Sequence, residues 1–156
     1  MNIIFLDIDG VLNSRNYLNQ IHETKKILIK LDKPLYKLIE INPLKIDIVK
    51  SICVRTNSKV VITSSWRKLT EWSLIEEYLI NKGIPIIDTT EDLNDRNKEI
   101  TKYINEHKIK NYAIIDDEMY NYSSELLNRL IKTCFYEDGI TYEQLDETIN
   151  ILRRRK

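Results

Sequence analysis

The chain has 156 residues, 42% apolar and 31% charged, which is the length and composition of one globular domain able to bury roughly two-thirds of its unfolded surface. Its formal net charge is zero, 24 basic against 24 acidic residues, so the chain as a whole carries no basic field of the kind that draws nucleic acid. Apolar runs are too short to span a membrane and the N-terminus does not read as a secretory leader; the expectation is a single domain over residues 1–156, cytoplasmic and without a membrane partner.

The first apolar run, Ile3 to Ile8, ends in Asp7 and Asp9 and is followed at once by Gly10. Residues 13–40 fit no simple connection. The runs Ile27 to Ile29 and Leu35 to Ile41 predict a short helix and a hairpin, and an insertion of this length in a compact domain reads as a flap or minimal cap. Residues 13 to 50 also hold eight Lys/Arg against four acids, and the last four residues, Arg153 to Lys156, are all basic. Charge runs of this sort usually form solvated surface.

Asn42 and Pro43 open the first clear helix as cap and first turn, with Leu44, Ile48, Val49 and Ile52 on its inner face. Val60 to Ile62 is the second strand, and Thr63, Ser64, Ser65, Trp66 and Arg67 follow it. A helix carrying Trp72, Ile75, Tyr78 and Leu79 stops at Gly83. Ile84 to Ile87 is the third strand. The next helix runs from about Arg96 to His107 with Ile100, Tyr103 and Ile104 inward.

Tyr112 to Ile115 is the fourth strand, ending at Asp116, Asp117 and Glu118, and Leu130 to Phe135 is the fifth. Thr141 to Gln144 forms a capping box before a last helix with Leu145, Ile149 and Leu152 on its buried stripe. The strands are continuous apolar runs, which suits parallel strands covered on both faces. Their alternation with helices predicts an α/β fold, a Rossmann-like three-layer sandwich around a mostly parallel sheet, with no room for a large cap domain. Cys53 and Cys134 lie in apolar runs and are expected as buried thiols. His22 and His107 stand alone, so no zinc site is expected.

In an open parallel sheet, ligands bind beyond the carboxyl ends of the strands. Asp7 and Asp9, then Thr63 and Ser64, then Asp116 and Asp117 all fall there. Carboxylates crowded at one edge need a cation to stay ionised together, and hard oxygen ligands beside a phosphate point to Mg²⁺. A carboxylate held against the metal and a phosphate is then a candidate nucleophile. Residues i and i+2 of an extended segment point the same way, so Asp7 and Asp9 are both expected to face the cleft. Gly10 allows the sharp turn that brings backbone N–H groups to the phosphate, Ser64 adds a hydroxyl, and Arg96 or Lys98 supplies a positive charge. Trp66 and Arg67 are either substrate contacts or a packing pair at a helix start.

FLDIDGVLN, VVITSSWR, the Arg96 region and YAIIDDE resemble, in that order, the four motifs of the haloacid dehalogenase (HAD) superfamily of aspartyl phosphotransferases. DIDGVLN, ITSSWR, the R-x-x-E-I of Arg96 to Ile100, IIDDE and IKTCFYEDGITYEQL are closer still to the small stand-alone HAD domains associated with RNA-repair proteins. The resemblance implies that Asp7 is the nucleophile and that Asp9 protonates the leaving oxygen and then activates water. It implies Ser64, or Thr63, as the phosphate-binding hydroxyl, and Arg96, or Lys98, as the phosphate-binding cation. Asp117 would ligate Mg²⁺ with Asp7 and the backbone carbonyl of Asp9, with Asp116 in support.

The function so implied is a Mg²⁺-dependent phosphatase or phosphotransferase, with a nucleotide or an RNA or DNA end as favoured substrate and a role in nucleic-acid repair. Two alternatives remain. A small-metabolite phosphatase would use the same acids on a compact substrate. A phospho-receiver module also places acids at parallel strand ends, but after a later strand than the first. Three glycines in the whole chain exclude the glycine-rich loops of nicotinamide enzymes and P-loop ATPases.

Overall fold

The computed structural model describes residues 1–31 and 33–154, with residues 33–35 by backbone alone. Asp32 in the basic insertion and Arg155 and Lys156 in the basic C-terminal run lie outside the described residues. Five strands, β1 (Asn2–Leu6), β2 (Ser58–Ile62), β3 (Ile86–Thr89), β4 (Asn111–Asp116) and β5 (Leu130–Lys132), form one sheet in the order β3-β2-β1-β4-β5. Every pairing is parallel. β1 lies at the centre, with Leu6 level with Ile62 on one side and Ile115 on the other.

Alternation along the strands divides the core in two. Ile4, Leu6, Val60, Ile62, Ala113 and Ile115 face one cluster, with α4 (Pro43–Thr56), α5 (Trp72–Asn81) and α8 (Tyr142–Arg153) packed over them. Ile3, Phe5, Val61, Tyr112 and Ile114 face the other, under α6 (Arg96–His107) and the single turn α7 (Ser124–Leu127). Right-handed crossovers explain the split: β1 to β3 steps outward in one direction and keeps α4 and α5 on one face. The return to β4 reverses direction and puts α6 on the opposite face. The reversal leaves a crevice between the ends of β1 and β4, where this kind of sheet binds ligands.

Several expected details hold. Asn42 caps α4 through its side chain, Gly83 follows α5 at φ +100°, and Thr141 and Gln144 form the reciprocal capping box of α8. His107 ends α6 with its ring stacked on Tyr103.

Four details differ. No hairpin occurs among the described residues of the 13–40 insertion, which consists of α1 (Arg15–Gln20), α2 (His22–Leu31) and α3 (Lys33–Ile39). The segment contains no glycine to turn a hairpin, and Pro34 stands in the first turn of α3, where a missing N–H costs nothing. Leu44 is exposed. Its place on the inner face is taken by the neighbouring Lys45, whose buried Nζ donates to Asp138 and to the Ile140 carbonyl at 2.9 and 2.8 Å. β5 ends at Lys132: the Thr133 N–H still donates to the Asp116 carbonyl at 2.9 Å, its hydroxyl donates to the Gly10 carbonyl, and the chain then turns. Cys134 is therefore half-buried in a turn and not in a strand, whereas Cys53 is a core thiol whose pKa burial pushes up to about 12.

Candidate active site

β1 stops at Leu6, but the Asp7 N–H still donates to the Ile115 carbonyl at 3.0 Å, which holds Asp7 at the mouth of the crevice. The chain then turns: the N–H groups of Val11 and Leu12 both donate to the Ile8 carbonyl. Gly10 makes the turn at φ +77°, and its N–H donates to the buried Asn13 Oδ1 at 2.9 Å. A Cβ at position 10 would collide with the Asp117 carboxylate. Asp7 is thus buried and Asp9 exposed. The Asp9 carboxylate accepts from Asn13 Nδ2 at 3.0 Å and from Trp66 Nε1 at 2.9 Å.

Oxygens of Asp7, Asp116 and Asp117 lie within 4.8 Å of one another. Asp116 is fully buried at the end of β4, where its carboxylate accepts from the Glu118 N–H and, at 3.4 Å, from the Tyr122 hydroxyl. Burial pushes the Asp116 pKa up to about 7, with Asp117 adding to the rise and Arg96 opposing it. Asp7 moves well upward for the same first reason and then because of the Asp116 charge. Asp117 also rises, through burial and the neighbouring Glu118. Three carboxylates at the ends of β1 and β4 thus resist ionising together. A hard divalent cation fits that oxygen set.

The loop after β2 closes the second side. Thr63 is buried, and Ser64 caps a single 3-10 turn, Ser65–Lys68, accepting from the Trp66 backbone N–H at 3.2 Å. Its own hydroxyl hydrogen stays available to a ligand. Arg67 folds inward: its guanidinium donates to the carbonyls of Thr63, Ser64 and Thr90 and pairs with Glu99 at 3.1 Å. Arg67 thus packs at this turn and also borders the cleft beside Arg96.

Asp95 caps α6, and the next residue, Arg96, reaches back over the crevice. Its Nη1 donates to Asp116 at 2.9 Å and to the Thr63 hydroxyl at 3.1 Å, while Nε lies 3.4 Å from Glu99. Burial works against the guanidinium charge, but Asp7 and Asp116 outweigh it and raise its pKa. Lys98, by contrast, is exposed, and its backbone N–H donates to Asp95. Arg96 is thus the cation brought to the acids. Beyond it opens a polar cleft of about 390 Å³ bordered by Ser65, Asn94, Tyr120 and Asn121.

The structure therefore gathers Asp7, Thr63, Arg96, Asp116 and Asp117 around one point, with Ser64, Gly10 and Asp9 on the loops beside it. Asn13, Glu99, Thr133 and Tyr122 support the site and were not singled out from sequence. Glu99 had a legible signal, an acid three residues after Arg96 on a helix. Asn13 and Thr133 lay inside the quoted motifs DIDGVLN and IKTCFYEDG but had no role assigned, and Tyr122 had no signal, since its bond only closes a loop. The arrangement suits group transfer from phosphorus: a carboxylate at the floor, a second carboxyl at the rim and donors on two sides.

Among known families, the model described as the HAD domain in Swiss Army Knife RNA repair proteins matches residues 3–145. No curated protein and no solved structure matches the chain.

Proposed function

Because the chain belongs to the HAD domains of Swiss Army Knife RNA repair proteins, a family that supports phosphatase-type chemistry, we propose that it is a Mg²⁺-dependent phosphomonoesterase working through an aspartyl-phosphate on Asp7. The observation that carries this reading is the group of Asp7, Asp116 and Asp117 within 4.8 Å, with Arg96 bonded to Asp116. Asp7, Asp117 and the Asp9 backbone carbonyl would hold the metal, with Asp116 in support. The metal, once bound, offsets the repulsion between the Asp7 carboxylate and an anionic phosphate.

In the first step a carboxylate oxygen of Asp7 bonds to phosphorus while the bond to the leaving oxygen breaks. Asp9 gives its proton to that oxygen, so an alcohol departs. In the second step Asp9, now ionised, takes a proton from water as the water oxygen bonds to phosphorus and the bond to Asp7 breaks. Inorganic phosphate leaves and Asp9 is protonated again. The Ser64 hydroxyl, the Thr63 hydroxyl, a backbone N–H of the Gly10 turn and Arg96 bind the phosphoryl oxygens. The N–H of Gly10 is engaged by Asn13 and those of Val11 and Leu12 by the Ile8 carbonyl, so the Asp9 N–H is the donor of the turn in this reading.

The favoured substrate is a nucleotide or a terminal phosphate of a nucleic acid. The family description supports this, and so does the basic 13–40 segment, which serves as a minimal cap within a single-domain enzyme. Asp7→Asn should abolish release of phosphate from an aryl phosphate in Mg²⁺, measured as phosphate against time; retained turnover would remove the nucleophile assignment. Oligonucleotides phosphorylated at the 3′ or 5′ end should outperform sugar phosphates in kcat/KM. Equal or better rates on sugar phosphates would instead favour a small metabolite.

A further inference from the structure

We propose that Trp66 is a positioning residue for the phosphatase reaction: its indole N–H holds the Asp9 carboxylate in place, and the helical insertion reaches that bond through Lys37. This rests on the proposed role of Asp9 as proton donor to the leaving group. Asp9 is exposed, and an exposed carboxylate normally samples several rotamers in water. Here both of its oxygens are held, Oδ1 by Asn13 at 3.0 Å and Oδ2 by Trp66 Nε1 at 2.9 Å. Each oxygen keeps a second lone pair, so the proton to be transferred still has a place to sit.

Trp66 is well placed to act as a fixed arm. Its side chain is 3% exposed and packed in the larger core cluster, so the ring does not wander. The indole N–H is the only polar atom of the side chain and must find a partner when buried. The partner here is a carboxylate 57 residues away in the chain. The Trp66 backbone N–H is in turn held by Ser64 Oγ, so one residue links the phosphate-binding loop to the acid at the rim.

The insertion meets this arm from outside. Lys37 on α3 places its Nζ 4.6 Å from the centre of the Trp66 ring. The same Nζ pairs with Glu40 at 3.2 Å, and Glu40 also takes Lys25 of α2 at 2.5 Å. A cation over the ring face steadies the indole and draws electron density towards that face, which strengthens the edge N–H as a donor. α3 therefore meets the residue that holds Asp9, and Lys25 of α2 pairs with the same Glu40 that holds Lys37.

A misplaced proton donor harms poor leaving groups far more than good ones, whereas a general loss of folding harms both alike. Trp66→Phe and Lys37→Met should be compared with the unaltered chain on glycerol 2-phosphate and on 4-nitrophenyl phosphate, each in Mg²⁺. For Trp66→Phe the expected result is a fall of roughly 10- to 100-fold in kcat/KM on the alkyl ester and less than about 3-fold on the aryl ester, because kcat/KM reports the transfer to Asp7 and not the later hydrolysis that both esters share. Lys37→Met should give the same asymmetry at about 2- to 5-fold. Asp9→Asn should show the largest asymmetry.

A second measurement needs no turnover. The indole ¹H–¹⁵N resonance of Trp66, identified by its absence in Trp66→Phe, should move upfield in Asp9→Ala and shift in Lys37→Met. Equal losses in kcat/KM on both esters, or none, overturn the positioning role, as does an unmoved indole resonance in Asp9→Ala. An unmoved resonance and unchanged kinetics in Lys37→Met overturn the part given to the insertion. If the unaltered chain hydrolyses neither ester, the phosphatase reading falls and this inference with it. If it hydrolyses both and Asp9→Asn behaves as stated while Trp66→Phe does not, only this inference falls.

Discussion

Gly10 shows how narrowly one residue constrains the site. Gly-to-Ala exchange often stabilises a protein by restricting the unfolded chain, but only where the folded backbone tolerates a Cβ. At φ +77°, with the Asp117 carboxylate in the space a Cβ would fill, position 10 does not. Gly10→Ala should lower stability by about 1–3 kcal/mol, read as a drop in the denaturant midpoint, and should displace Asp117. An unchanged midpoint would mean that the turn can open without cost. The neighbouring aspartates show where residue-level reasoning reaches its end. Two-residue alternation predicts a shared direction for Asp7 and Asp9, but the strand stops at Leu6 and the rule stops with it. Asp7 remains against β4, and Asp9 is carried by the Gly10 turn to Trp66.

Among the elements, those with local signals follow the sequence closely. The start of α8 is set by Thr141 and Gln144, whose side chains each accept from the other's backbone N–H at 3.3 and 3.0 Å. Thr141→Ala should cost about 1 kcal/mol, which for a chain of this size is a fall of about 3 °C in Tm; no change would assign the helix start to packing alone. The insertion was harder to read. Its apolar runs are short, no residue of α1 or α2 is buried, and periodicity carries little information on a surface helix. The inner face of α4 departs from the expected one for a related reason: a pattern that treats lysine as polar cannot foresee a Lys45 Nζ taken into the interior by Asp138 and the Ile140 carbonyl. Arg67 repeats the point in the loop after β2, where four acceptors turn an apparent surface cation inward.

At the scale of the whole molecule, the carboxylate group ties stability to pH and to metal. Asp116 has its pKa raised to about 7 from the ordinary carboxyl value of 3.8, and Asp7 and Asp117 move the same way, burial being the first cause in each case. Between those two pH values the folded chain keeps protons that the unfolded chain has lost. Its stability therefore falls as pH rises through this window. Without divalent cation, Tm should decline from about pH 4 to about pH 7. Mg²⁺, which needs the ionised carboxylates, should raise Tm more at the upper end than at the lower. Parallel profiles with and without Mg²⁺, followed by scanning calorimetry, would place the metal elsewhere. No helix among the described residues is long and apolar enough to cross a membrane.

The sequence by itself determined the layered α/β architecture, because continuous apolar strands alternating with capped helices leave a parallel sheet as the only way to bury both faces. It also placed the acids at strand ends, since Asp7, Asp116 and Asp117 interrupt apolar runs where burial of an unpaired charge is most costly. Only the tertiary structure decided which residues meet. Arg96 rather than Lys98 lies against Asp116, Trp66 bonds to Asp9, and Lys37 stands over Trp66. Each of these contacts joins segments whose separation along the chain carries no periodic signal. They exist because right-handed crossovers bring the ends of β1, β2 and β4 to one edge, and α6 and α3 close over it from opposite sides of the chain order.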